Sequence, residues 1–413
     1  MNAPHRRGAC PSLSAPMLTG DGLLVRLTPS EPIALDAFVA VCAAAGEHGN
    51  GTIEITARGS LQVRGLTAPS ASLFASAVAA LDIVTTDRVI ADPLADDPGT
   101  IIDATGLAWT LRRAISRAGL ALAPKVSVVI DAGGRLHLDA LPADLRLRAI
   151  GSPDAPRIHV ALGGDAASAT PLGSIAPDAA VDVAVRLLGV IAAQGREARA
   201  VDILRNGGIA AFRSAVSVDA APDMLPRSGA EAIGRHPLRN GRIALGVAPA
   251  FGHAHADALA QLARIGTEYG VRKLRPAPGH ALLLLDVAEN DADALAAAAE
   301  ELGFIVHADD PRRRVAACPG QPACTSGLIP ARALAAEIAQ RLPPGCDIVH
   351  VSGCAKGCAH PAPAALTVVG TVQGCGIVRH GPAHATPGHH VALADLAAEI
   401  ARIAGEESEA VHG

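Results

Sequence analysis

The chain has 413 residues, half of them hydrophobic, and a formal net charge of −5. That length supports several cores, and the acidic balance argues against a polyanion binder. Aromatics make up 2% of residues, with a single Trp109 and a single Tyr269, so there is no stacking platform for single-stranded nucleic acid.

No run reaches the about 18 apolar residues of a membrane span. The start, MNAPHRRGACPSLSAPM (1–17), lacks the apolar core of a secretory signal. A cytoplasmic protein without membrane or nucleic-acid partners is expected, in a compartment where clustered thiols bind metal more often than they form disulfides.

In chain order, GDGLLVRLTP (20–29) predicts a strand, about 33–46 a helix, GTIEITARGSLQVRGL (51–66) two strands, and about 69–81 a second helix. ADDPGT (95–100) reads as a joint. Asn206 in ILRNGG (203–208) reads as a turn residue, and APDMLPRSGAEAIGRHPLRNG (221–241) as the main linker. Beyond it the order repeats: GRIALGVAP (241–249), a helix over about 254–269, VRKLRPAPGHALLLLDV (271–287), and a helix over 291–301.

Further echoes pair RVIADP (88–93) with RVAACP (314–319), and KVSVVIDAGG (125–134) with DIVHVSGCAKG (347–357). SATPLG (168–173) likewise answers HATPGH (384–389). The chain is therefore a duplicated α+β protein with a pseudo-twofold axis. Where the second copy has Cys318, the first has Asp92.

Six of the eight cysteines fall between positions 318 and 375. Within that window Cys318-x5-Cys324 is followed, after 29 residues, by Cys354-x3-Cys358. The first pair fits a zinc knuckle poorly. Four thiolates around an iron–sulfur cube tolerate it, because the cluster itself bridges the ligand positions. Gly320, Gly353 and Gly357 let backbone pass close to such a cluster. Cys10, Cys42, Cys346 and Cys375 read as buried or idle thiols.

ACPGQPAC (317–324) with VHVSGCAKGCAHP (349–361) resembles the cluster signature of the nitrite and sulfite reductase family, and TARGSLQVRG (56–65) resembles its T-x-R…Gln hallmark. The resemblance implies a [4Fe–4S] cluster on Cys318, Cys324, Cys354 and Cys358. It also implies two ferredoxin-like sub-domains (1–94 and 236–310) and two larger α/β sub-domains. Of these, 95–235 lacks cluster cysteines and 311–413 carries them.

Two departures narrow the reading. The second cysteine pair reads GCAKGCAHP, not GCPN-x-C, and the family's K-x-K pair is here Lys125-Val126-Ser127. GACPSLSAPMLTGDGLLVRL (8–27) and SGCAKGCAHP (352–361) are similar to the cobalamin-pathway branch of the family. That branch implies an oxygen-dependent hydroxylation of precorrin-3A at C20 with closure of a γ-lactone. Electrons would come from NADH through a reductase, and a mononuclear non-haem iron is implied beside the cluster.

A substrate with eight carboxylates calls for arginine forks. On a strand, Arg58, Gln62 and Arg64 are expected on one face, and Arg88 and Lys125 match pocket positions of the family. Spacing yields no two-histidine, one-carboxylate triad, although His350, His360, His380, His384, His389 and His390 crowd the C-terminal part. No G-x-G-x-x-G turn follows a clear strand, so NADH is expected to bind elsewhere. The alternatives are a sirohaem-dependent sulfite or nitrite reductase, an electron carrier, or a zinc-stabilised scaffold.

Overall fold

The structure is a computed structural model that describes residues 11–85, 88–220, 222, 224 and 227–412. Its strands form four five-stranded sheets, which fall into two related pairs.

The first ferredoxin-like sheet runs Met17–Thr19, Gly22–Leu27, Leu61–Leu66, Thr52–Ile55, and is completed by His253–His255 from the other half. The second runs Gly234–Pro237, Ile243–Val247, Ala281–Val287, Lys273–Ala277, and is completed by Ile33–Ala34 from the first half. Each half thus lends the other an edge strand, antiparallel in both cases.

The register repeats as well. Leu23 pairs with Leu66 and, past a bulge, Val25 with Val63; Ile243 pairs with Val287 and, past a bulge, Leu245 with Leu284. Behind each bulge stands a left-handed residue, Gly65 (φ 72°) and Asp286 (φ 61°). At Gly65 a Cβ would lie 2.4 Å from Asn50 Cβ, which enforces glycine. At Asp286 the side chain instead accepts from Asn240 Nδ2 at 2.9 Å.

Helices Leu35–His48, Ala68–Ala79, Ala256–Glu268 and Ala292–Glu301 cover one side of both sheets. Their apolar faces merge into one core containing Phe38, Phe74, Leu259 and Leu295. Ala68–Ala79 starts at a capping box in which Thr67 and Ser70 satisfy each other's amides.

The larger units share one topology. Val89–Ala91, Val128–Asp131 and Leu145–Ser152 are parallel neighbours, followed antiparallel by Ala155–Leu162 and Thr170–Ile175. Val315–Ala317, Val349–Ser352, Ala364–Thr371, Gly374–Gly381 and His389–Val391 repeat that order. The central strands Val128–Asp131 and Val349–Ser352 are buried at every position, as a parallel strand covered on both faces should be.

Two boundaries shift. Val89–Ala91 hydrogen-bonds into the sheet of the first larger unit, so that unit begins ahead of position 95. Gly234–Pro237 belongs to the second ferredoxin-like sheet, whose start therefore precedes position 236. Among the described residues, no helix is long and apolar enough to cross a membrane.

Candidate metal centre

Cys318 follows the strand Val315–Ala317, and Gly353-Cys354 follow its parallel neighbour Val349–Ser352. The Gly353 amide donates to Cys318 Sγ at 3.0 Å. Cys324 sits on a loop folded back on itself: its amide donates to Gly320 O at 2.7 Å, and Leu328 N to Gly353 O at 2.8 Å. Gly320 (φ 61°) has no room for a side chain, since a Cβ there would lie 2.4 Å from Ala331 N.

The first half closes the other side. A Cβ at Gly20 would lie 2.3 Å from Cys324 Sγ, and Thr325 N donates to Gly20 O at 2.9 Å.

The thiols feel one another. Burial pushes the Cys358 thiol up, and charge on Cys318, Cys354 and Cys324 adds to it, against Arg64. Cys318 is likewise raised by burial, with the Gly353 and Gly320 amides opposing. Cys358 is exposed and the other three are half-buried.

Among the described residues, no three His, Cys, Asp or Glu side chains converge as one metal ion requires. Ligands of a cube stand further apart, because each binds a different iron. A shared electrostatic neighbourhood, a glycine-lined cradle and an amide aimed at sulfur suit a cluster rather than a single ion. The same observation gives the expected mononuclear iron no ligand set. His380, His384, His389 and His390 are exposed. His350 and His360 meet, with ring centroids 5.8 Å apart.

Cys42 and Cys375 are buried among apolar residues, with burial pushing Cys42 up to about 12. Cys346 is half-buried, and Cys10 lies outside the described residues.

The expected anion-binding residues divide. Gln62 and Arg64 do share the outward face of Leu61–Leu66, while Leu61, Val63 and Leu66 enter the core. Arg58 does not join them, because a turn over Thr56–Ser60 separates it from that strand. It reaches instead to Pro142 O at 2.8 Å and Ser127 Oγ at 3.4 Å, which brings the TARG and KVS motifs together.

Arg64 is engaged by Asp21 at 2.7 Å and Glu54 at 3.0 Å. Arg88 donates to Ala123 O at 2.6 Å and to Leu122 O and Val126 O at 3.4 Å, clamping the loop that carries Lys125. Lys125 itself is exposed on a turn.

Sequence reasoning missed Arg26, Glu54 and Arg332. With its amide oriented to suit its neighbours, Gln62 accepts from Arg26 Nη2 at 2.7 Å and donates to Glu54 Oε2 at 3.1 Å. Arg332 of the second larger unit meets Glu54 at 3.3 Å. Period-two alternation around the core residues Val25 and Leu27 was the available signal for Arg26.

A precorrin-3B synthase from Sinorhizobium sp is 38% identical over 410 residues, spanning 97% of this chain and 89% of that protein. The chain belongs to the precorrin-3B synthase family.

The ferredoxin-like half domain of nitrite and sulfite reductases matches residues 236–302. A Mycobacterium tuberculosis sulfite reductase [ferredoxin] is 28% identical over 40% of this chain, and only 33% of that enzyme is spanned. The solved structure of the Mycobacterium tuberculosis NirA protein superposes with a TM-score of 0.72 at 20% identity, covering 92% of this chain and 80% of that one, and so shares the fold.

In this precorrin-3B synthase family member the two outward sheet faces have diverged. By register, Arg26 and Gln62 correspond to Gly246 and Leu283. Leu283 is packed with Leu94, Leu136, Ile233 and Leu238 in an apolar plug. Over Gly246 lies the linker, with Ala232 O only 1.7 Å from where a Cβ would stand. One pseudo-equivalent face is polar and borders the cysteine loops; the other is sealed.

Proposed function

We propose that the chain carries out the precorrin-3B synthase reaction: oxygen-dependent hydroxylation of precorrin-3A at C20 with γ-lactone formation, in aerobic cobalamin biosynthesis. It is an oxidoreductase of the nitrite and sulfite reductase fold. The observation that carries the reading is the relationship to a precorrin-3B synthase over 97% of the chain. The one polar sheet face beside four clustered thiols supports it.

One atom of O2 enters the macrocycle and the other leaves as water, with two electrons from NADH delivered through a reductase. A [4Fe–4S] cluster on Cys318, Cys324, Cys354 and Cys358 would supply one-electron transfer. The chain's own residues bind and orient the substrate. Gln62, held between Arg26 and Glu54, presents a fixed amide beside the cysteine loops. Arg58 and Lys125 offer cations to substrate carboxylates from the first larger unit's side. Arg88 fixes the Lys125 loop, and Arg64 fixes the strand that bears Gln62.

The test is anaerobic purification with iron and sulfide counts, then incubation with precorrin-3A, 18O2 and a reductant. A product carrying one labelled oxygen supports the reading. Sirohaem absorption in the purified protein, with sulfite or nitrite reduced instead, overturns it in favour of a sirohaem-dependent reductase.

A further inference from the structure

Arg332 occupies an unfavourable place. It lies in the first turn of the helix Ala331–Ala339, where the dipole disfavours a cation. The side chain is about four-fifths buried; among the described residues its Nε has no hydrogen-bond partner and its one ion pair is Glu54 at 3.3 Å, across the junction between halves. Glu54 is shared with Arg64, which also holds Asp21. Two guanidiniums thus share two carboxylates: Asp21 is bonded to Arg64 and reaches Arg332 only through its charge, so Glu54 is the carboxylate that Arg332 touches.

The helix that carries Arg332 abuts the loop that carries Cys318. Ala331 packs against Gly320, two residues beyond Cys318. Burial, and then Arg64, lower Arg332 from its ordinary value, while Glu54, Asp21 and last the Cys318 sulfur oppose this. Arg64 in turn acts on Cys358. His253, directly opposite Glu54 in the sheet, is driven to about 3 by burial and both arginines, so it adds no charge.

We propose that Arg332, seconded by Arg64, is the counter-charge of the four-cysteine cage: a positioning residue that favours the reduced, more negative state of the metal centre. The proposal rests on the cluster reading above. A four-thiolate cluster gains negative charge on reduction, and a largely buried cation nearby offsets it through a low-dielectric path. Glu54, from the other half, limits the effect. Reduction potential is thereby set jointly by residues of both halves.

The experiment is an EPR-monitored redox titration of anaerobically purified holoprotein, with iron and sulfide counted in every variant. Arg332→Met is expected to move the midpoint to more negative values, and Arg332→Lys to restore most of the shift. Glu54→Gln should move it the opposite way, a reversal that mere loosening of the structure would not produce. An unchanged midpoint in Arg332→Met with full cluster content overturns the proposal. If Arg332→Met fails to assemble the centre, an unchanged or more negative midpoint in Glu54→Gln overturns it. Absence of acid-labile sulfide from the parent protein defeats the cluster reading itself.

Discussion

Asp92 and Cys318 take the same place in the two halves. Asp92 Oδ2 accepts from Ala132 N at 2.5 Å, as Cys318 Sγ accepts from Gly353 N at 3.0 Å, each at the end of the neighbouring parallel strand. The place that Cys318 fills in the second half is held in the first by a buried carboxyl whose Oδ1 finds no partner among the described residues.

Burial, then the nearby Asp131, holds Asp92 well above its ordinary 3.8. A folded-state value raised for an acid means that stability is complete below about 3.8 and declines as pH climbs toward the folded value. Asp92→Asn should therefore raise the melting temperature near neutrality by several degrees and change it little near the acid limit. Thermal unfolding across pH checks this; an equal effect at both ends contradicts it.

Asp21 shows the opposite sign. Burial would raise it, but Arg64 and Thr19 hold it below 3.8. Its stabilisation is present above about 3.8 and is lost as pH falls through the lower folded value. Asp21→Asn should cost about 3 kcal/mol at neutral pH, because it leaves Arg64 partly buried with Glu54 alone, and nearly nothing in acid. Denaturant titration at two pH values measures it.

The two sheet faces allow a reciprocal pair of substitutions. Gln62→Leu should leave folding and iron content intact while weakening precorrin-3A binding at least tenfold. Leu283→Gln, at the matching position, buries an unpaired amide in the apolar plug and should cost about 1–3 kcal/mol with binding unchanged. Fluorescence binding and chemical denaturation separate the outcomes.

Arg58→Ala removes a cation that touches Ser127 and Pro142. Binding of the carboxylate-rich substrate should weaken by about one to two powers of ten, corresponding to a charge-assisted hydrogen bond of about 1.5–3 kcal/mol. Affinity equal to the parent's would remove Arg58 from the pocket.

Cys354→Ser should abolish acid-labile sulfide and destabilise residues 311–413, because the centre's binding energy is part of folding energy. Cys42→Ser, whose thiol sits in the apolar core, should retain full sulfide. Iron and sulfide analysis decides.

The duplication was legible because both copies keep the same order of alternating strands and apolar-striped helices. The four thiols stood out through their clustering in so long a chain. What stayed hidden depends on pairing across distance. Period-two logic placed Gln62 and Arg64 together but could not see that Gly59 (φ 76°) turns the chain between Arg58 and the strand. Nor could it foresee that Arg88 would be spent on carbonyls, since those acceptors lie more than thirty positions away. Arg332 carried a local sign, a cation opening a helix, whose meaning needed Glu54 from the other half.

The strands Ile33–Ala34 and His253–His255 carry one more consequence. Cut at the linker, neither product would own all the strands of its own sheet, and each would offer a bare hydrogen-bonding edge that fits the other. The chain behaves as a dimer whose subunits are tied end to end, so co-expressed fragments 1–227 and 228–413 should reassemble, while either alone should aggregate through that edge.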